Sequence, residues 1–307
     1  MGTKEIRGDQ RTFYEYRIRV ELNCQTSLFE VDRDLSEREQ KNKAVRRAFD
    51  FIDDRNTYIE FRSGSQDISV IKFQTICEDI LIMKLARKKP VELPKKGLST
   101  FVEKTEDIYP YAYIIFDCRN QILYVERVLQ VYQLPNAMIK IMQDLFCYIN
   151  NQISENTGKN FYINIISREE DFMECFNSFD IVNKISLKLN SPNCFLGSHE
   201  ADELLSQLRE ETQTKTTTLE FASDDGLNGE GFYNQFKHLI NYAARGGGGY
   251  SIRGTNVGSS KQITKNSNNK IKTLNLTLNF NIGQDQVNNS EQLADRIRNE
   301  NDYEDKE

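Results

Sequence analysis

The chain has 307 residues, 38% hydrophobic and 10% aromatic, which is enough apolar material for the core of one large domain or two small ones. Its 40 lysines and arginines against 46 acids leave a formal charge of -6; this excludes a uniformly basic polyanion binder but not a local patch of opposite sign. The opening MGTKEIRGDQ has no signal-peptide core and no later run has the apolar length of a membrane span, so a cytoplasmic globular protein with no membrane partner is expected.

Residues 1–12 read as a flexible polar lead, in which Ile6 breaks the myristoylation pattern that Gly2 opens. FYEYRIRVEL then alternates, with Tyr14, Tyr16, Ile18, Val20 and Leu22 on one side and Glu15, Arg17, Arg19 and Glu21 on the other, as a half-buried strand does. LSEREQKNKAVRRAFDFIDD predicts a charged helix with Ala44, Val45, Ala48, Phe49 and Ile52 inside. TYIEFRSG, ISVIKFQTI and DILIMKLA follow as strands, and YAYIIFD and ILYVERV as a hairpin turning through residues 118–121. A β-rich N-terminal domain over 13–130 results.

The period changes at QLPNAMIKIMQDLFCYINNQISEN, whose Met138, Ile141, Met142, Leu145, Ile149 and Ile153 recur at helical spacing behind Pro135. Beyond it strands and helices alternate: NFYINIIS, EEDFMECFNSF, IVNKISLKLN, HEADELLSQLREE with Ser198 as its N-cap, TTTLEFA, EGFYNQFKHLINYAAR and YSIRGTNV. IKTLNLTLNFNI closes the series, with Leu274, Leu276, Leu278, Phe280 and Ile282 facing one way. These form a C-terminal domain over 131–285, on a mostly antiparallel or mixed sheet, followed by an acidic flexible tail over 286–307. The fold class is α+β.

Two basic regions carry the functional expectation. In ARGGGGYSIRGTNVGSSK (244–261) the glycines follow a helix and precede a strand, the reverse of a phosphate loop, so they read as a helix C-cap and a flexible link. From Gly231 to Gln284, however, there is no acid, while Lys237, Arg245, Arg253, Lys261, Lys265, Lys270 and Lys272 supply positive charge and Tyr250 a stacking surface. The alternative is a solvated face covered by the acidic tail. A second run, KLARKKPVELPKKG, gathers Lys84, Arg87, Lys88, Lys89, Lys95 and Lys96 in what reads as an exposed loop. If both runs share one face, they form a single nucleic-acid-binding field.

Catalytic signals are sparse. His199 and His238 have no partner at metal-ligand spacing, and Cys24, Cys77, Cys118, Cys147, Cys175 and Cys194 include no Cys-x-x-Cys pair. SDDGLNGEG (223–231) has Asp224, Asn228 and Gly229 in a calcium-loop pattern, but Gln235 stands where a bidentate Glu is required, so a helix-capping turn is the simpler reading. Glu60 and Asp67 lack the lysine of a metal-dependent nuclease core. No cofactor, metal or catalytic residue is expected.

From IVNKISLKLNSPN through GYSIRGTNVGSSK to the last strand, the chain resembles uncharacterised bacterial proteins of about this size, through Ser191-Pro192-Asn193 closing a strand and through the C-terminal strand pair. The resemblance covers about the last third and implies a phage-defence or mobile-element setting, with no residue role attached. The leading expectation is a non-enzymatic protein that binds DNA or RNA, or another phosphate ligand, through its basic C-terminal face. Alternatives are an assembly or scaffold subunit, with a protein partner or a second copy, and a metal-dependent nuclease or other hydrolase.

Overall fold

The computed structural model describes residues 9–22, 36–55, 58–96, 101–153, 159–190, 199–256, 261–280 and 286–301. Strand β1 (Asp9–Leu22) precedes α1 (Glu37–Asp53), and β2 (Ile59–Ser63), β3 (Gln66–Cys77) and β4 (Ile80–Arg87) follow as a meander. Next come β5 (Lys89–Lys96), β6 (Phe101–Ile108), β7 (Tyr111–Asp117), β8 (Ile122–Glu126), α2 (Pro135–Ile153) and β9 (Lys159–Ile165). The rest is α3 (Glu170–Phe176), β10 (Ile181–Asn190), α4 (His199–Thr212), β11 (Thr216–Ala222), α5 (Gly229–Tyr242), β12 (Gly248–Thr255), β13 (Ile263–Asn266), β14 (Thr273–Leu278) and α6 (Ser290–Asn301). Antiparallel sheets with helices packed on them make this an α+β protein, as its patterning predicts.

The larger sheet runs β14-β1-β8-β7-β4-β3-β2, with β9 pairing beside β14 along the same edge of β1. Its middle strands are apolar on both faces because both faces are covered. On one side α1 and α2 bury Val45, Phe49, Met142 and Phe146 against Ile18, Met83, Ile114 and Val125. On the other, Phe13, Ile82, Ile115 and Tyr124 meet Leu293 and Ile297 of α6. The helix α1 starts where its sequence provides a reciprocal cap: Glu39 N donates to Ser36 Oγ at 3.3 Å and Ser36 N to Glu39 Oε2 at 2.7 Å.

The smaller sheet runs β11-β10-β12-β13, antiparallel throughout. Helices α3, α4 and α5 cover one face, packing Phe172, Leu205, Phe232 and Ile240 on Ile185, Leu187, Tyr250 and Ile252.

Four expectations need correction. Residues 9–12 are not part of a loose lead but begin β1. The run after Lys88 is not a loop: β5 pairs with β6 along its whole length as a two-stranded ribbon, its Pro90 and Pro94 tolerated because a ribbon has open edges. Strands β9 and β14, both assigned to the C-terminal domain, pair instead with β1, so the boundary at 130 cuts through one sheet. Within the supposed flexible tail, residues 290–301 fold as α6, whose Leu293, Ala294 and Ile297 are at most 4% exposed. Burying a side chain such as Ile297 is worth about 2 kcal/mol, and Gln74 adds a clamp, donating to Ser290 Oγ (2.9 Å) and accepting from Val287 N (2.7 Å). The proposed N-cap Ser198, the closing triplet 191–193, Cys24, Cys194 and Ile282 lie outside the described residues.

Candidate functional site

The polar side of β1 organises the site. A half-buried strand would leave Glu15, Arg17 and Arg19 in water, yet they are 1%, 1% and 6% exposed: Lys272 stands over Glu15, and the chain that joins α5 to β12 lies across Arg17. There α5 runs into a single π-helical turn, Ala243–Gly247, and its last carbonyls are taken by donors from the larger sheet and its edge. Ser167 N donates to Ala244 O at 2.8 Å, Arg17 Nε to Arg245 O at 3.0 Å, and Asn164 Nδ2 to Gly246 O at 2.8 Å. Arg17 Nη1 donates further to Asn120 O at 2.5 Å.

This junction explains the glycines. Gly246 has φ +91°, and a Cβ there would stand 2.5 Å from Arg17 Cβ. A Cβ at Gly248 would collide with Lys188 O on the neighbouring strand, and one at Gly254 would come within 2.5 Å of Ile181 O. The run is therefore not slack between helix and strand; it is a close-packed seam between two sheets.

Beside the seam opens a cleft of about 460 Å³, bounded by Arg19 and Asn164 of the larger sheet, Lys188 and Asn190 of β10, and Gly248 and Gly249 of β12, with Asn268 and its neighbours closing the far side. No carboxylate lines it among the described residues. The guanidinium of Arg19 pairs with Glu21 through Nη1 and lies over the Tyr162 ring, while its buried Nε has no hydrogen-bond partner.

The cleft continues onto the face of the smaller sheet opposite α3, α4 and α5. Register places Lys184, Ser186 and Lys188 of β10 beside Arg253, Ser251 and Gly249 of β12, with Thr264 and Asn266 of β13 next in the row. The one acid in the matching β11 positions, Glu220, pairs with Lys184 at 2.7 Å. Lys188 and Arg253 are exposed.

A family model described as a domain of unknown function, DUF4747, matches residues 37–299. The chain belongs to that family. No curated protein and no solved structure matches it. The match runs from the start of α1 into α6, so the DUF4747 region takes in both sheets and the glycine seam, while β1 precedes it.

Within this DUF4747 protein the basic window is spread over several surfaces. Arg253 lies on the open sheet face, and Lys261 is exposed just before β13. Lys237 is exposed on α5, across the sheet, and Lys265 also turns to that side, donating to Ser178 Oγ at 2.5 Å over the Phe179 ring. Three other cations face carboxylates: Arg245 meets Glu169 at 3.3 Å, Lys270 meets Glu174 at 3.1 Å, and Lys272 lies between Glu15 (3.4 Å) and Glu300 (3.2 Å). Burial opposes the charge on Lys272, but the two carboxylates outweigh it and its pKa rises. Tyr250 is no stacking platform: it is 4% exposed, with its ring edge-on to Phe172, because Tyr250 and Ile252 occupy the helix-covered side of β12.

The second run sits on the larger sheet and its ribbon. The Lys84 ammonium lies 4.2 Å from the Phe73 ring centroid and 5.2 Å from that of Tyr111. Lys88 pairs with Asp107 at 2.9 Å, a contact that raises its pKa. Arg87 is half-exposed and Lys89 exposed, and the side chains of Lys95 and Lys96 lie outside the described residues. The first run is thus divided between the smaller sheet and, at Lys272, the larger one, while the second lies on the larger sheet and its ribbon.

Asn228 caps α5 by accepting from Gly231 N at 3.1 Å, and His238 Nδ1 stands 3.8 Å from Glu200 Oε2 between α5 and α4. Asp67 accepts from Arg62 Nε at 3.2 Å. Burial pushes the Cys118 thiol up to about 12. Arg19, Lys184 and Lys188 fall outside the acid-free window, and the alternation of β10, which puts Lys184, Ser186, Lys188 and Asn190 on one face, is the signal that points to the two lysines.

Proposed function

We propose that this protein binds nucleic acid or another phosphate-bearing ligand without catalysing its turnover, and that the contact lies on the open face of the smaller sheet and its cleft. The observation that carries this reading is the uncovered row of Lys188, Arg253, serines, threonines and asparagines, whose one acid is occupied by Lys184. Such a row offers cations for phosphates and uncharged donors and acceptors for sugars, with no aromatic side chain to select a base. Binding of low sequence preference follows. The resemblance of the C-terminal third to bacterial proteins met near phage-defence and mobile-element genes suggests such a system as its setting.

Fluorescence anisotropy with labelled single-stranded DNA and RNA tests the proposal. With about three phosphates contacted, the logarithm of affinity falls against that of salt with a slope of about -2. Arg253→Glu should weaken binding by about ten-fold, as expected when a contact cation is reversed. Absence of binding at low salt, or indifference to Arg253→Glu, removes the reading.

A second reading, an assembly subunit, is favoured by Ile108, Tyr109 and Tyr111, which stand 42%, 52% and 44% exposed where the β5–β6 ribbon rejoins the larger sheet. Light scattering of the wild type and Tyr109→Lys distinguishes it: a self-associating chain loses mass in the variant.

A further inference from the structure

We propose that the cleft between the sheets is a specific pocket for a ribose-phosphate group, as found on a free mononucleotide or at the phosphorylated end of a strand. This extends the phosphate-binding reading by naming the moiety held. The volume of about 460 Å³ is in the range of small-ligand sites and exceeds what a lone phosphate fills.

The lining specifies the chemistry. Arg19 supplies positive charge from the larger sheet and Lys188 from β10, and no acid lines the cleft among the described residues, although Glu21 balances one side of the Arg19 guanidinium. Arg19 is 6% exposed and its Nε finds no acceptor among the described residues, so the guanidinium on this wall keeps hydrogen-bonding capacity that Glu21 does not use. The other residues on the walls are four asparagines and three serines, with Tyr250 bordering the cleft while its side chain lies on the helix-covered face of β12. Amides and hydroxyls both donate and accept, which suits vicinal hydroxyls carried next to a phosphate. Tyr250, the one aromatic residue among them, keeps its ring against Phe172, so a base finds no stacking partner and contributes little. Gly248 and Gly249 bring bare backbone to the wall, and the steric demand at Gly248 comes from β10, so its lack of a side chain is fixed by the sheet and leaves the wall open.

Isothermal titration calorimetry on the full chain tests this with ribose 5-phosphate, AMP, adenosine, ribose and inorganic phosphate, and with strands bearing either a 5′-phosphate or a 5′-hydroxyl. Ribose 5-phosphate and AMP should bind alike, each about ten-fold or more tighter than ribose, adenosine or inorganic phosphate, the scale of one charge-assisted contact set. Lys188→Glu should abolish this, Lys188→Arg should restore it, and Arg253→Glu, outside the cleft, should leave it intact. A 5′-phosphorylated strand that binds more tightly than its 5′-hydroxyl counterpart identifies strand ends as the source; equal binding identifies the free nucleotide. The proposal is overturned if neither ribose 5-phosphate nor AMP binds, if inorganic phosphate binds as well as they do, or if Lys188→Glu changes nothing. Loss of strand binding in Arg253→Glu with AMP binding retained separates the sheet face from the cleft. AMP binding in a protein that binds no strand at all removes the nucleic-acid reading alone.

Discussion

The two sheets use opposite solutions to the same problem. The larger one is sealed on both faces, by α1 and α2 on one side and α6 on the other, and its β7 and β8 are apolar almost residue by residue. The smaller one is sealed on one face only, and β10 and β12 alternate between core and open side. A sealed sheet holds a fold together; an open polar sheet has surface left for a partner. The seam between them is where the protein departs from both patterns, burying arginine and glutamate against backbone carbonyls and glycines.

The sharpest way to break the contrast is at that seam. Arg17→Ala takes a donor from Arg245 O and from Asn120 O, and urea denaturation should show a loss of about 4 kcal/mol, the cost of leaving two buried acceptors unsatisfied. A loss under 1 kcal/mol would mean that the sheets dock without it. Gly246→Ala is next: a left-handed backbone and a clash with Arg17 together cost about 3 kcal/mol, whereas Gly64→Ala, at φ +59° with nothing within 4 Å, costs about 1 kcal/mol. Equal losses at the two sites would refute the close-packed seam.

The smallest effect concerns pH and the second bridge between the two halves, where Glu37 of α1 meets both Lys41 and Arg209 of α4. Burial raises the Glu37 pKa, but its hydrogen bond and attraction to Lys41, with those of Arg209, bring it below the ordinary 4.5. Its contribution is therefore present above 4.5 and fades as pH falls through the lowered value. Glu15 shows the reverse: burial raises its pKa, Lys272 offsets only part of this, and its contribution fades as pH rises through the raised value. Thermal unfolding of the wild type and Arg209→Met should differ near neutrality and converge in acid; a constant gap would exclude Glu37 as the cause.

Local pattern revealed the elements but not their company. The alternation of β10, the helical period of α2 and the capping turn before α5 are all written in short range, and the structure reproduces them. The polar row of β1 looked solvated because burial of Arg17 depends on carbonyls more than two hundred residues away, as its separation of 228 from Arg245 shows. Helix α6 was missed since Leu293, Ala294 and Ile297 are few among charged neighbours, and only the apolar face left bare by β1, β4 and β7 gives them somewhere to go. The acid-free window was real in composition, but alternation and helix facing scatter its cations over two sides of a sheet.

Strand β1 is flanked on one edge by β8 and on the other by β9 and β14 in succession. The paired residues Thr12 and Asn275 are separated by 263 positions, so β1 leaves the ribosome with half of one edge unpaired until β14 follows it. A product lacking β14 would carry that adhesive margin into the cell.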